Sequence, residues 1–143
     1  MRRYVVDASV AIKWFIPEIH SDAALRTQHR ETLLHVPAFM VLELGNVLAK
    51  KIRRNELTPR EGEMILRELK RLPLQRHADD QLFVAAYQLA LDTRRSLYDC
   101  LYLALAEVID GIMVTADHKF FTSLTNGPYG RRVMWVEDLP VLT

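Results

Sequence analysis

The chain has 143 residues, half of them hydrophobic and 26% charged, with a formal net charge of +1. That profile is of a globular protein with a sizeable core, and its near-neutral balance gives no general attraction to nucleic acid, so such a partner must be argued from where single charges sit. One cysteine, Cys100, excludes an internal disulfide, and no stretch approaches the roughly 18–20 apolar residues of a membrane span. Cys100 lies in the apolar run YDCLYLALAEVI and reads as a small buried residue; with no apolar signal segment at the N-terminus, a cytoplasmic protein is expected.

The elements alternate between strand-like and helix-like patterns. Tyr4–Val6 reads as a buried strand, followed by a helix through about Phe15 that Pro17 stops. Ser21–Arg30 reads as a second helix, and TLLHVP at 32–37 as a second strand ended by Pro37. A long helix runs from Ala38 to about Arg54, and another begins after Thr58 as N-cap with Pro59 at its first position. LPLQRH contains a short edge-type strand, and helices follow over Asp79–Thr93 and Leu97–Asp110, the latter with Ser96 as N-cap. IMVT at 112–115 is the clearest buried strand; Asp117–Leu124 is a short helix, and RRVMWV at 131–136 a last strand. Strands separated by helices of this length predict βαβ units: an α/β fold, a three-layer α/β/α sandwich with a central parallel sheet, in one domain over 1–143.

Parallel sheets of this kind carry their sites at the carboxyl ends of the strands. Asp7 ends the first strand, and Asp117 follows IMVTA at the end of another. Glu43 lies in the second turn of the helix after LLHVP, and Asp99 in the first turn of the helix before IMVT, so both fall toward the same edge. Glu43 and Asp99 also interrupt apolar helix faces, which aims them at packed protein. Each acid has a local alternative: Asp7 and Asp117 as helix caps, Asp99 as the partner of Ser96 in a capping box, Glu43 in a buried salt bridge with an arginine. Four clustered carboxylates would open the fold or pick up protons unless a cation sits among them, because two of them about 4 Å apart repel by roughly 4 kcal/mol at an effective dielectric near 20. Oxygen-only donors suit Mg²⁺ or Mn²⁺, and such a site can activate water against a phosphodiester.

The fragments VVDASVAIKWF, ELGNVL, SLYDCLYLALAE and VTADHKF, in this order and spacing, resemble the PIN-domain ribonucleases, and among them the VapC-type toxins of toxin–antitoxin pairs. The resemblance spans nearly the whole chain. It implies that Asp7, Glu43, Asp99 and Asp117 are the catalytic, metal-binding acids and that Ser9, Asn46 and Thr115 support them. It also implies RNA hydrolysis with Mg²⁺ or Mn²⁺, a PIN-like parallel sheet, a homodimer, and a cognate VapB-like antitoxin. In that reading Asp7, Asp99 and Asp117 hold the main ion, Glu43 binds through water or helps hold a second, and hydrolysis leaves a 5′-phosphate and a 3′-hydroxyl.

An acidic pocket needs a basic rim to hold RNA. Lys13, Arg94, Arg95 and Lys119 are the candidates, whereas KKIRR at 50–54 ends a helix far from the acid edge and reads as a solvated or dimer-related face. His118, next to Asp117, is a surface residue or a substrate contact, and Trp14 and Phe15 belong to the core or to a partner groove. The five histidines show no zinc-type spacing. Two other classes, one enzymatic and one a signalling domain, have acid pockets. A phosphohydrolase with an aspartate nucleophile wants D-x-D after the first strand, where this chain has Asp7-Ala8-Ser9. A receiver-like domain wants paired acids there and a late lysine. An RNA-processing nuclease of the same fold, without an antitoxin, is the remaining alternative.

Overall fold

The computed structural model describes all 143 residues. Its five strands are β1 (Arg2–Val6), β2 (Thr32–Pro37), β3 (Gln75–His77), β4 (Ile112–Thr115) and β5 (Val133–Trp135). They form one sheet in the order β3-β2-β1-β4-β5, and every pairing is parallel. Parallel neighbours need crossovers, and α-helices supply them. Seven α-helices flank the sheet: α1 (Ala8–Ala11), α2 (Ser21–Leu25), α3 (Met40–Arg53), α4 (Pro59–Arg71), α5 (Asp79–Thr93), α6 (Leu97–Val108) and α7 (His118–Thr125). The result is the expected three-layer α/β/α arrangement.

The central strands carry β-branched and apolar residues because both sheet faces are covered: Val5, Val6, Val36, Met113 and Val114 have no exposed surface. β3, with Gln75 and Arg76 exposed, is the short edge strand that its polar sequence predicts. Helix α6 is apolar almost all round because it is buried almost all round: every residue from Cys100 to Ala106 is buried, Cys100 included. It packs against β1, β2 and α5. Helix α4 starts with the capping box that Thr58 and Glu61 make, with Pro59 at its head.

Three boundaries differ most from the sequence expectation. The first helix gives way after Ala11 to a 3-10 turn over Ile12–Trp14. Helix α2 stops at Leu25 rather than Arg30: the Thr27 hydroxyl donates to the Ala24 carbonyl at 2.7 Å, and the Thr32 hydroxyl donates to the carbonyls of Thr27 and His29. These side chains offer the backbone a turn in place of further helix. The last strand is only Val133–Trp135, because Arg131 and Arg132 belong to a 3-10 turn in which Arg132 pairs with Asp110 at 2.8 Å and donates to the Gly111 carbonyl. Trp14 faces inward, its indole donating to Ala24 and Thr27, and so belongs to the packed interior with Phe15.

The order of the sheet decides where a site can form. The chain leaves β1 toward β2 and β3, then returns to the other side of β1 to lay down β4 and β5. The carboxyl ends of β1 and β4 therefore flank the point where strand order reverses, which is where open α/β sheets form their crevice. The turn that brings α6 into β4 is tight: Asp110 adopts φ +51°, and a Cβ on Gly111 would lie 2.6 Å from the Arg3 carbonyl of β1. A Gly111→Ala variant is expected to lose about 1–3 kcal/mol of stability as the turn is forced off β1. Urea unfolding measures this, and an unchanged midpoint would show that β1 and the turn yield freely.

Candidate active site

Asp7 is the residue at which β1 ends and α1 begins. It is the N-cap of α1, accepting from the Val10 N–H at 3.2 Å through Oδ1. The same oxygen accepts from the Ser9 hydroxyl at 2.5 Å, and Oδ2 accepts from the Thr115 hydroxyl at 2.6 Å. Those hydroxyls accept in turn from the backbone of the neighbouring strand's exit: the Ala116 N–H donates to Ser9 and the Asp117 N–H to Thr115, both at 3.0 Å. Ser9 and Thr115, two of the expected supporting residues, thus tie Asp7 to the end of β4. Asp117 caps α7 by accepting from the Phe120 N–H at 3.1 Å, and its side chain is exposed. The cap reading of both aspartates is correct, and it does not compete with a site, because a helix that starts at a strand's carboxyl end puts its cap at the crevice.

Glu43 sits in the first turn of α3, one turn earlier than expected because the helix begins at Met40 rather than Ala38. The start of α3 is held at this edge by the Asp79 carboxylate, which accepts from the Phe39 N–H at 3.0 Å. No arginine meets Glu43; its partner is the buried hydroxyl of Tyr102, which donates to it. Asp99, in the first turn of α6, is half of a capping box: Ser96 accepts from its N–H at 3.1 Å, while its carboxylate turns to Arg95, 2.9 Å away. The Arg95 guanidinium also lies over the Phe120 ring, 4.9 Å from its centroid. Asn46, one turn beyond Glu43, is exposed.

Electrostatics trace the convergence of the four acids. Burial pushes the Asp7 carboxyl up to about 6; its three hydrogen bonds pull it back, and the Glu43 charge adds to the rise. Burial also raises Glu43, with the Asp99 charge adding to the rise and the Tyr102 hydrogen bond opposing it. Asp99 is raised by burial as well, opposed by Arg95 and reinforced by Asp117. Each acid is repelled by the next, from β1 through α3 and α6 to the head of α7. Even so, no three acidic, histidine or cysteine side chains close into a preformed ligand cage.

The basic candidates separate into two groups. Arg94 and Lys119 are exposed beside this edge, Arg94 as the left-handed cap of α5. Lys13 is buried and paired with Glu18 at 2.9 Å, and Arg95 is committed to Asp99, so neither presents a free cation. His118 is exposed and packs edge-on against Trp135. Sequence reading missed the partner role of Tyr102, which no local signal announces, and took as an RNA contact the Arg95 that pairs with Asp99. The four-residue spacing of Arg95 and Asp99 was the available signal for the latter.

A doubly wound parallel sheet with an acidic crevice at its strand reversal defines a class, and comparison with known proteins places the chain in it. The PIN domain family model matches residues 4–123, and the chain belongs to that family. Within it the chain is a VapC-type PIN ribonuclease: it is 34% identical to ribonuclease VapC3 of Pyrobaculum aerophilum over 119 residues, 82% of this chain and 91% of that one. It is 31% identical to ribonuclease VapC3 of Mycobacterium tuberculosis over 115 residues, 80% of this chain and 82% of that one. The crystal structure of PAE2754 from Pyrobaculum aerophilum shares the fold, with a TM-score of 0.71 and 23% identity over 96% of this chain and 86% of that one.

The sign of the Asp7 shift has a consequence for stability. A carboxyl raised from 3.8 to about 6 on folding favours the native state below its unfolded pKa, and that contribution is lost as pH rises through about 6. The metal-free protein is therefore expected to lose up to about 3 kcal/mol from this group between pH 4 and pH 7. Asp7→Asn is expected to recover most of it at pH 7, raising Tm by several degrees. Calorimetry of both proteins across this pH range checks it; a less stable variant at pH 7 would show that the carboxylate's hydrogen bonds outweigh its burial.

Proposed function

We propose that this protein is the toxin of a VapBC-type toxin–antitoxin pair and hydrolyses RNA phosphodiester bonds with Mg²⁺ or Mn²⁺. The observation that carries the reading is the chain of mutually repelling carboxylates, Asp7, Glu43, Asp99 and Asp117, at the strand reversal. The donor set fits a hard divalent cation. It is all oxygen, Asp7, Glu43 and Asp99 are raised by burial and by repulsion that a cation would relieve, and Mg²⁺ keeps several waters and needs only one or two protein carboxylates, so a closed cage is not required. Asp7, Asp99 and Asp117 would hold the ion, with Glu43 acting through water or toward a second one. When bound, such an ion lowers the pKa of water and offsets charge developing on the phosphodiester.

The chain's own groups do the rest. Ser9, Thr115 and the Val10 N–H lock Asp7 in one orientation, so its carboxylate does not reorganise when substrate arrives. Asp99 has one oxygen held by Arg95, which leaves the other to accept a proton from the attacking water. Asp117, exposed at the rim, faces incoming RNA, and Arg94 and Lys119 contact its phosphates. In-line attack by water, not by the ribose 2′-hydroxyl, leaves a 5′-phosphate and a 3′-hydroxyl. The similarity to VapC ribonucleases supports an RNA substrate, and the protein acts in the cytoplasm, held in check by its antitoxin. A further structural neighbour is a toxin–antitoxin complex from Klebsiella pneumoniae. The exposed apolar stripe of α5, Phe83, Val84, Tyr87 and Leu91, supports a homodimer that would cover it.

Cleavage of a pool of structured RNAs that includes tRNAs tests the reading. Cleavage is expected with Mg²⁺ or Mn²⁺, is lost with EDTA, and falls about a hundredfold or more in Asp99→Asn. No cleavage with either ion, or products ending in 2′,3′-cyclic phosphate, would overturn it. The basic rim has its own signature. Replacing Arg94 and Lys119 with alanine should weaken RNA binding uniformly across sequences and flatten its dependence on log salt by about 0.7 per lost phosphate contact, as filter binding at several salt concentrations would report.

A further inference from the structure

Tyr102 is absent from the acid set, yet its hydroxyl stands within it. It stands on α6 one turn beyond Asp99, it is 1% exposed, and its hydroxyl donates to Glu43 of α3. The backbone of Ala8, the residue after Asp7, faces the same phenol oxygen, and both Asp7 and Glu43 repel charge there. One hydroxyl thus sits where β1, α3 and α6 meet, between two carboxylates that repel each other. Glu43 has no other side-chain hydrogen-bond partner, whereas Asp7 has two hydroxyls and a backbone N–H, Asp99 has Arg95, and Asp117 has a helix N–H. Glu43 also has more freedom than the aspartates, with a longer side chain on a partly open helix face.

We infer that Tyr102 is the positioning residue for Glu43: its hydroxyl holds that carboxylate over the acid edge, against the repulsion of Asp7 and Asp99, and so sets the affinity of the edge for a divalent cation. The inference rests on the metal-dependent reading above. Without the hydroxyl, Glu43 has no donor inside the protein, and the neighbouring charges drive it toward water. The rest of the ring is core packing, which phenylalanine preserves.

The test is a Mn²⁺ titration by calorimetry, with RNA cleavage rates, on the wild type, Tyr102→Phe, Glu43→Gln and the double variant. Tyr102→Phe is expected to fold, by circular dichroism, and to lose about 10- to 100-fold in Mn²⁺ affinity and in cleavage, the range typical of groups that orient a ligand. In the Glu43→Gln background the same change should add nothing, because the two residues act as one unit. Glu43→Asp, which keeps the charge but is one methylene too short to reach the phenol, should reproduce the loss without touching the core. Wild-type Mn²⁺ affinity in Tyr102→Phe or in Glu43→Asp would overturn the inference, as would an equal further loss in the Glu43→Gln background, which would mark the hydroxyl's effect as packing alone. A wild type that neither binds Mn²⁺ nor cuts RNA would instead sink the metal-dependent reading itself and take this inference with it.

Discussion

Repulsion between carboxylates drawn to one edge of a parallel sheet is the constraint around which this structure is arranged. Burying a charge without a partner is costly, and these acids are spared that cost in four different ways. Asp7 is held by two hydroxyls and a helix N-terminus, Glu43 by a phenol, Asp99 by a guanidinium, and Asp117 by the head of α7 and by solvent. The donors come from β1's exit, β4's exit, the α5–α6 connection and the middle of α6. A site of this kind is an agreement among distant segments, in which Asp7, Glu43 and Asp99 are kept raised by burial and by their neighbours' charge.

Helix capping and site building use the same geometry here. A helix that follows a parallel strand begins at the strand's carboxyl end, so its N-cap lies in the crevice. The partial positive charge of the first turn favours a carboxylate at that position. Asp7 and Asp117 therefore need no choice between holding a helix and facing a ligand. The cap fixes one oxygen and with it the orientation of the group, which is what a preorganised ligand requires.

The basic residues show how tertiary context redistributes charge. Lys13 and Arg95 both lie near the acid edge in sequence terms, yet one is buried with Glu18 and the other is spent on Asp99 and stacked over Phe120. What is left open to solvent beside the crevice is Arg94 and Lys119. Arg95 is also the one guanidinium paired with a candidate acid, and its charge opposes the rise that burial causes in Asp99.

Much of this was legible from residue order alone. The alternation of apolar strands with helical stretches points to a parallel α/β sheet, because parallel strands need crossover connections of a dozen or more residues, in which helices sit. Acids at strand ends and in first helical turns are confined to the carboxyl edge by geometry that needs no knowledge of strand order. The capping residues Thr58 and Ser96 and the buried run around Cys100 are local or periodic signals, and they read correctly for that reason. Tertiary structure alone decided which strands are neighbours, and hence that β1 and β4 flank the reversal and bring Thr115 onto Asp7 across 108 residues. It also decided that Tyr102 meets Glu43 from another helix and that Lys13 turns inward. Periodicity reports which face of an element is buried; it carries no information about which side chain of another element is waiting there.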